Sequence, residues 1–219
     1  MTWLWMPITI AAAVFQTARN AAQRGLVKSA GTLGATLVRF LYGLPFTALW
    51  LGILHLCMDA PMGGTAPMFS PAFFGWITMG GIAQLGATAL LLMAMESRSF
   101  AVAVAYSKTE VLQVGLFGWV LLGDVLGTAS VVAIVLSASG VIMMSLKPGS
   151  GPGGSGGSMW SEWFSPAALY GVAAGGLFGL SAIGYRGAAL LHPDWSPFYS
   201  GPFNLLWTQA IQSLLLGGW

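Results

Sequence analysis

Apolar positions in this chain come in continuous runs rather than in alternation. Seven runs can be drawn: about Trp3–Gln23, Leu33–Met58, Ala72–Met95, Phe100–Leu122, Val125–Leu146, Pro166–Leu191 and Phe198–Trp219. Each is roughly twenty residues, the length a helix needs to cross a bilayer. Strands of a membrane barrel would alternate apolar and polar over about ten residues, so the pattern predicts helices. Asp59–Pro71, Glu96–Ser99 and Asp124 mark short connections, which make neighbouring helices antiparallel. One break differs. Pro148–Ser158 (PGSGPGGSGGS) carries no side chain able to pack and reads as a flexible tether. Such a segment spans about 18 Å on average. It separates residues 1–146 from 164–219, with 147–163 as linker.

Composition agrees with this picture. The chain is 56% hydrophobic and 6% charged, where a soluble domain carries roughly a quarter charged residues. Its mean hydropathy is +0.78. The 31 glycines suit a helical membrane bundle, in which small residues let backbones approach. The expected partner on this evidence is a lipid bilayer. A net charge of +2 with no basic stripe argues against nucleic acid. The single cysteine, Cys57, excludes an internal disulfide. His55 and His192 lie near span ends without metal spacing, and no HExxH, GxSxG or P-loop occurs. The expectation is a non-enzyme with no cofactor and no metal. No basic segment precedes the first run, which is expected to stay as an anchor.

With so few charges, those inside the runs become readable, because an ionisable group in lipid is costly and a functional candidate by default. Lys108 and Glu110 fall eight to ten residues into the fourth run, about 12–15 Å deep if the helix starts near Phe100. Two positions apart on a helix, they project to different sides and need partners from elsewhere. Tyr106, Glu110, Gln113 and Phe117 share one face. In the first run Gln16, Asn20 and Gln23 form a polar stripe with Arg19 at its edge. Gln84 sits among Gly80, Gly81 and Gly86, where another backbone could come close, and Gly171, Gly175 and Gly179 mark a second helix contact. Arg39 reads as a residue that snorkels to the interface. Asn204, Gln209 and Gln212 have no evident role. The candidate substrate-binding set is Gln16, Arg19, Asn20, Gln84, Tyr106, Lys108, Glu110 and Gln113. The competing reading makes the same residues structural: a Lys–Glu contact and interhelical amides that hold the bundle together.

The stretch from Ala94-Met95-Glu96-Ser97-Arg98-Ser99-Phe100 through Lys108-Thr109-Glu110 to Leu122-Gly123-Asp124, followed by Ser139-Gly140-Val141-Ile142-Met143, resembles the EamA-type drug/metabolite transporter superfamily. Three features depart from that pattern: Val111 stands where a proline is usual, Asp124 where a glutamate is usual, and Lys108 is an addition. The resemblance implies an all-α integral membrane protein of about seven transmembrane helices. Residues 1–146 would be one five-helix repeat, and 164–219 the first two helices of a second, inverted repeat. The similar Arg24-Gly25 and Arg186-Gly187, read as helix exits, fit two copies. The last run reaches Trp219 with no polar tail, so the chain is expected to be truncated, the alternative being a seven-span protein ending at an interfacial tryptophan. The function implied is secondary transport of small organic metabolites by alternating access in a bacterial inner membrane, with Glu110 coupled to a proton or cation. A flippase for lipid headgroups or polyprenyl carriers, or a non-transporting membrane subunit, are the rivals.

Orientation divides two arguments. Arg24, Lys28, Arg98 and Lys147 fall on one side and Arg186 on the other, which favours an external N-terminus. The resemblance implies a cytoplasmic one, and we follow it. A reporter fused within Pro148–Ser158 should then report from outside the cell, and a cytoplasmic signal would reverse the orientation.

Overall fold

The computed structural model describes residues 5–57, 69–97, 100–125, 127–145 and 165–218. The predicted tether and linker lie outside the described residues. Every described element is an α-helix, as the continuous apolar runs require. They are α1 (Trp5–Cys57), α2 (Pro71–Ser97), α3 (Phe100–Ser107), α4 (Glu110–Leu122), α5 (Thr128–Ser145), α6 (Pro166–Leu190) and α7 (Pro197–Gly217). Three helices are long and apolar enough to cross a membrane: Met6–Cys57 within α1, α2 and α6.

The first two predicted runs form one element, α1, interrupted at Gly31 by φ 69° and ψ 175°. A positive φ costs glycine little and most other residues a great deal. The interruption is a reversal. The Gln23 Nε2 donates to the Ala35 carbonyl at 3.4 Å, yet twelve residues of straight helix would hold those positions about 18 Å apart. Residues 5–30 and 32–57 are therefore two arms of a helical hairpin, each about 39 Å long. Arg24-Gly25 lies inside the first arm and Arg186-Gly187 inside α6, so neither marks a helix exit.

The fourth run is not one helix either. α3 and α4 are separated at Lys108 and Thr109, where Lys108 N bonds Ala105 O at 3.0 Å and Thr109 N bonds Tyr106 O at 3.2 Å. Those are three-residue spacings, a tightened turn. Two side chains compete for the local carbonyls. Ser107 Oγ donates to Val104 O and Thr109 Oγ1 to Tyr106 O, both at 2.8 Å, the back-bonding that bends helices. α4 ends on Gly123 at φ 70°, with Asp124 N bonded back to Gly118 O at 3.1 Å. Other helix starts follow a Ser-Pro signal. Ser70 Oγ caps Phe73 N at 3.1 Å and Ser165 Oγ caps Ala168 N at 3.3 Å, with proline at the first helical position each time.

α6 is the hub, and glycines are the reason. A Cβ built on Gly184 would lie 2.8 Å from Gly80 Cα and 2.9 Å from Trp76 O, so α2 and α6 cross almost backbone to backbone. Gly187 takes the Trp76 indole. On the opposite face Gly171 meets Tyr106, Gly175 meets Ser107 O and Thr109 Oγ1, and Gly179 meets Val114. The four-residue glycine repeat is thus the seat of the broken α3–α4 segment.

Apolar packing gathers into two clusters. One contains Val27, Ala35, Leu91, Met95, Ala103 and Ala174; the other contains Leu51, Phe73, Ile77, Ala188, Trp195 and Phe203. In α2, Gln84 is midway between Ile77 and Leu91, and in α6, Ser181 is midway between Ala174 and Ala188. A polar layer therefore lies between two apolar ones, about 10 Å from each.

Gly184→Ala should lower stability by about 1–3 kcal/mol through overpacking, read as thermal unfolding in detergent. Gly75, with nothing within 4 Å of its would-be Cβ, supplies the control: Gly75→Ala should be neutral or stabilising.

Candidate functional site

At the level of the polar layer the helices leave a cleft of about 650 Å³ between both arms of α1, α2, α4 and α6. Each wall follows from helical spacing. Ala12, Phe15, Gln16 and Arg19 come from one face of the first arm, and Arg39 from the second arm. Phe178, Ser181, Ala182 and Tyr185 come from one face of α6. Gln84 closes the α2 side, and Glu110, the first residue of α4, stands at the helix break.

Behind Gln84 is a hydrogen-bonded core of the layer. Tyr185 OH donates to Gln84 Oε1 at 2.6 Å, and Gln212 Nε2 donates to the same oxygen and to Gly81 O, each at 2.9 Å. Gln212 is fully buried, 0% exposed, so its amide nitrogen exchanges water for these two acceptors. Asn204 Nδ2 reaches Tyr185 O at 3.5 Å, and the Gln209 amide packs against Gly43 of the second arm. The three α7 amides that the sequence left without a role fasten α7 to α1, α2 and α6.

The cationic side of the cleft is differently built. Arg39 donates to Thr88 Oγ1 at 3.1 Å and lies 5.2 Å from the Phe40 ring centroid. Thr88 is one helical turn from Gln84, so α2 positions both. Among the described residues neither Arg39 nor Arg19 has a carboxylate partner, and Glu110 has no ion pair. The ion pair that is present lies elsewhere: Arg186 donates to both carboxylate oxygens of Asp124, one bond measuring 2.8 Å, tying α6 to the end of α4.

Of the predicted set, the cleft gathers Gln16, Arg19, Gln84 and Glu110. It does not gather the other four. Asn20 is 8% exposed and turned into the α1 hairpin beside Gln23 and Val27. Tyr106 is buried against Gly171. Gln113 Nε2 donates to Thr109 Oγ1 and to Val172 O, both at 3.3 Å, and its side chain fills the notch at Gly176. Lys108 sits exposed on the tightened turn, outside the cleft. Tyr106 and Gln113 belong to the seat of α3–α4 on α6. Arg39, Tyr185, Ser181 and Phe178 were missed. Arg39 had a legible signal: between Lys28 and Asp59 it is the one charged residue.

No family model matches this chain, nor does any curated protein or solved structure.

Tyr185→Phe removes one of two bonds to Gln84 Oε1 and should cost about 1 kcal/mol. Gln84→Leu deprives both Tyr185 OH and buried Gln212 Nε2 of an acceptor and should cost about 1–3 kcal/mol. Thermal unfolding of the two variants side by side checks the ranking.

Proposed function

We propose that the chain is an integral membrane secondary transporter of small organic solutes. Its seven spans would be the two arms of α1, α2, α3 with α4, α5, α6 and α7. One observation carries this reading. Three ionisable groups from three separate segments, Arg19, Arg39 and Glu110, converge on a solute-sized cleft midway between two apolar clusters. Charges at such depth are expensive and are kept for substrate or ion pathways. Pockets of about 300–1,000 Å³ accommodate small metabolites. The helix break beside Glu110 is a further support. Discontinuous helices near the midplane are a habit of transporter folds, and a non-helical backbone there needs protein or a cavity around it. Gly175 supplies the protein side of that requirement. The resemblance to EamA-type transporters points the same way.

In this reading the amides and Tyr185 bind solute, Phe15 and Phe178 cover its apolar part, and Glu110 takes and releases the coupling proton or cation. A lipid-headgroup flippase of the same build is favoured by one feature. Phe15 on the cleft wall is 75% exposed, beside the exposed Ile8, Ile10 and Val14, so the cleft has an apolar rim. Soluble solutes that compete for transport in proteoliposomes favour the first reading, and competition by lipids alone favours the second.

Glu110→Gln in the full-length protein should reduce solute uptake driven by a pH gradient more than tenfold in proteoliposomes while the protein stays folded. Unchanged, pH-independent uptake would remove Glu110 from the mechanism.

A further inference from the structure

The charge balance of the cleft narrows what it can hold. Arg19 and Arg39 bring two positive charges and Glu110 one negative, so the formal balance is one positive charge. Neither guanidinium is neutralised by a carboxylate among the described residues. Arg39 is not free to swing away. Thr88 takes one N–H at 3.1 Å, and the rest of its planar fork remains available to a ligand. Arg19 approaches from the other arm of the same hairpin, on the open side of the cleft. Because the α1 reversal at Gly31 is what brings residues 19 and 39 to one cavity, the pair exists only in the folded hairpin.

We infer that the cleft binds a small oxyanion, a carboxylate or phosphate group, between Arg19 and Arg39. Glu110, the one acid among the lining residues, would take a ligand's neutral or cationic end. Guanidinium forks match planar oxyanions with paired hydrogen bonds, and a low-dielectric surround strengthens them. Two guanidiniums that share a cleft without an ion pair to either repel each other, a cost that an oxyanion between them removes. Gln16 offers a further amide on the same helical face as Arg19. The aromatic rings of Phe15 and Phe178 leave room for an apolar body behind the charged head. This rests on the cleft being the substrate site and adds the charge class of the substrate.

Binding separates the two ideas. The full-length protein in phosphatidylcholine nanodiscs is titrated calorimetrically with four-carbon probes of equal length: succinate, succinamate, succinamide and 1,4-diaminobutane, with inorganic phosphate alongside. Succinamate, succinate or phosphate should bind, and the diamide and the diamine should not. Arg19→Gln and Arg39→Gln should each weaken the anion at least tenfold, Arg39→Lys should retain part of the affinity, and Glu110→Gln should tighten it. Opposite signs at Arg19 and Glu110 are what a merely structural role would not produce, and Arg19, with no hydrogen-bond or ion-pair partner among the described residues, keeps the test valid if Arg39→Gln misfolds. A second arm replaces part of the lipid by phosphatidylglycerol. If soluble anions are silent but this lipid raises thermal stability in the wild type and not in Arg19→Gln, the oxyanion is a lipid headgroup. Preference for the diamine, binding indifferent to both Arg→Gln changes, or no response to any anion or anionic lipid overturns the inference. Anion binding without any transport would sink the transporter reading alone, and transport of cations alone would sink this one alone.

Discussion

The crossing of α2 and α6 at Gly80 and Gly184 sets the register on which the polar layer depends. With no Cβ on either side, the two backbones approach until Gly184 touches Gly80 Cα and Trp76 O. That contact places Tyr185, the next residue, where its hydroxyl reaches Gln84, one turn beyond Gly80. It also places Ser181 and Phe178 along the cleft wall. If these helices stand in lipid, as proposed, no hydrophobic force favours one register over another, so close packing and hydrogen bonds have to choose it. The glycines permit the approach, and the Tyr185–Gln84–Gln212 bonds fix its register.

The polar layer has two halves with different energetics. Gln84, Tyr185 and Gln212 largely satisfy one another, although Gln212 Oε1, Gln209 Oε1 and Ser213 Oγ are buried with no protein partner. Interhelical amide bonds of this kind contribute about 0.6–2 kcal/mol each, and they join α2, α6 and α7 into one block. The other half, Arg19, Arg39 and Glu110, is held apart rather than paired. Glue would be expected to close on itself, as Arg186 and Asp124 do at the end of α4. Charges kept from closing are the ones a ligand or a proton can use.

Much of the helical content was written in the run lengths, and the starts of α2 and α6 fall close to the predicted breaks because a Ser-Pro start is a local signal. The departures came from places where a local signal was absent or shared. Gly31 is one glycine among 31, and nothing nearby distinguishes its φ of 69° from the helical glycines around it. The break at Lys108 has neither glycine nor proline. It arises from hydroxyls of Ser107 and Thr109 and from the seat at Gly175, a tertiary partner 67 residues from Lys108 in sequence. Sequence periodicity located Glu110, Gln84, Gln16 and Arg19, because a polar residue inside an apolar run stands out. It could not tell which face of each helix met the cavity, so Tyr106, Gln113 and Asn20 joined the set and Tyr185 did not. Arg39 was misassigned because snorkelling and a cleft position look alike until the hairpin is folded.

If the chain is a transporter, as proposed, the distribution of burial says which parts the cycle would move. The most apolar stretches of α2 and α6 are each about half buried, whereas that of α1 is 11% buried, and residues 6–19 of its first arm are exposed throughout. α5 is likewise largely exposed. A rigid α2–α6–α7 block and a lightly held first arm share the cleft between them, and the arm carries Phe15, Gln16 and Arg19. Gly31 is the natural pivot, since a residue already at positive φ can absorb backbone rotation that its neighbours cannot. Gln23 bonds Ala35 O across the reversal at a long 3.4 Å. Movement of the arm would carry Arg19 toward or away from Arg39, which α2 holds through Thr88. An anion bridging the two would thereby draw the arm onto the block, coupling occupancy of the cleft to its closure. On this view substrate charge is both what the cleft recognises and what closes it.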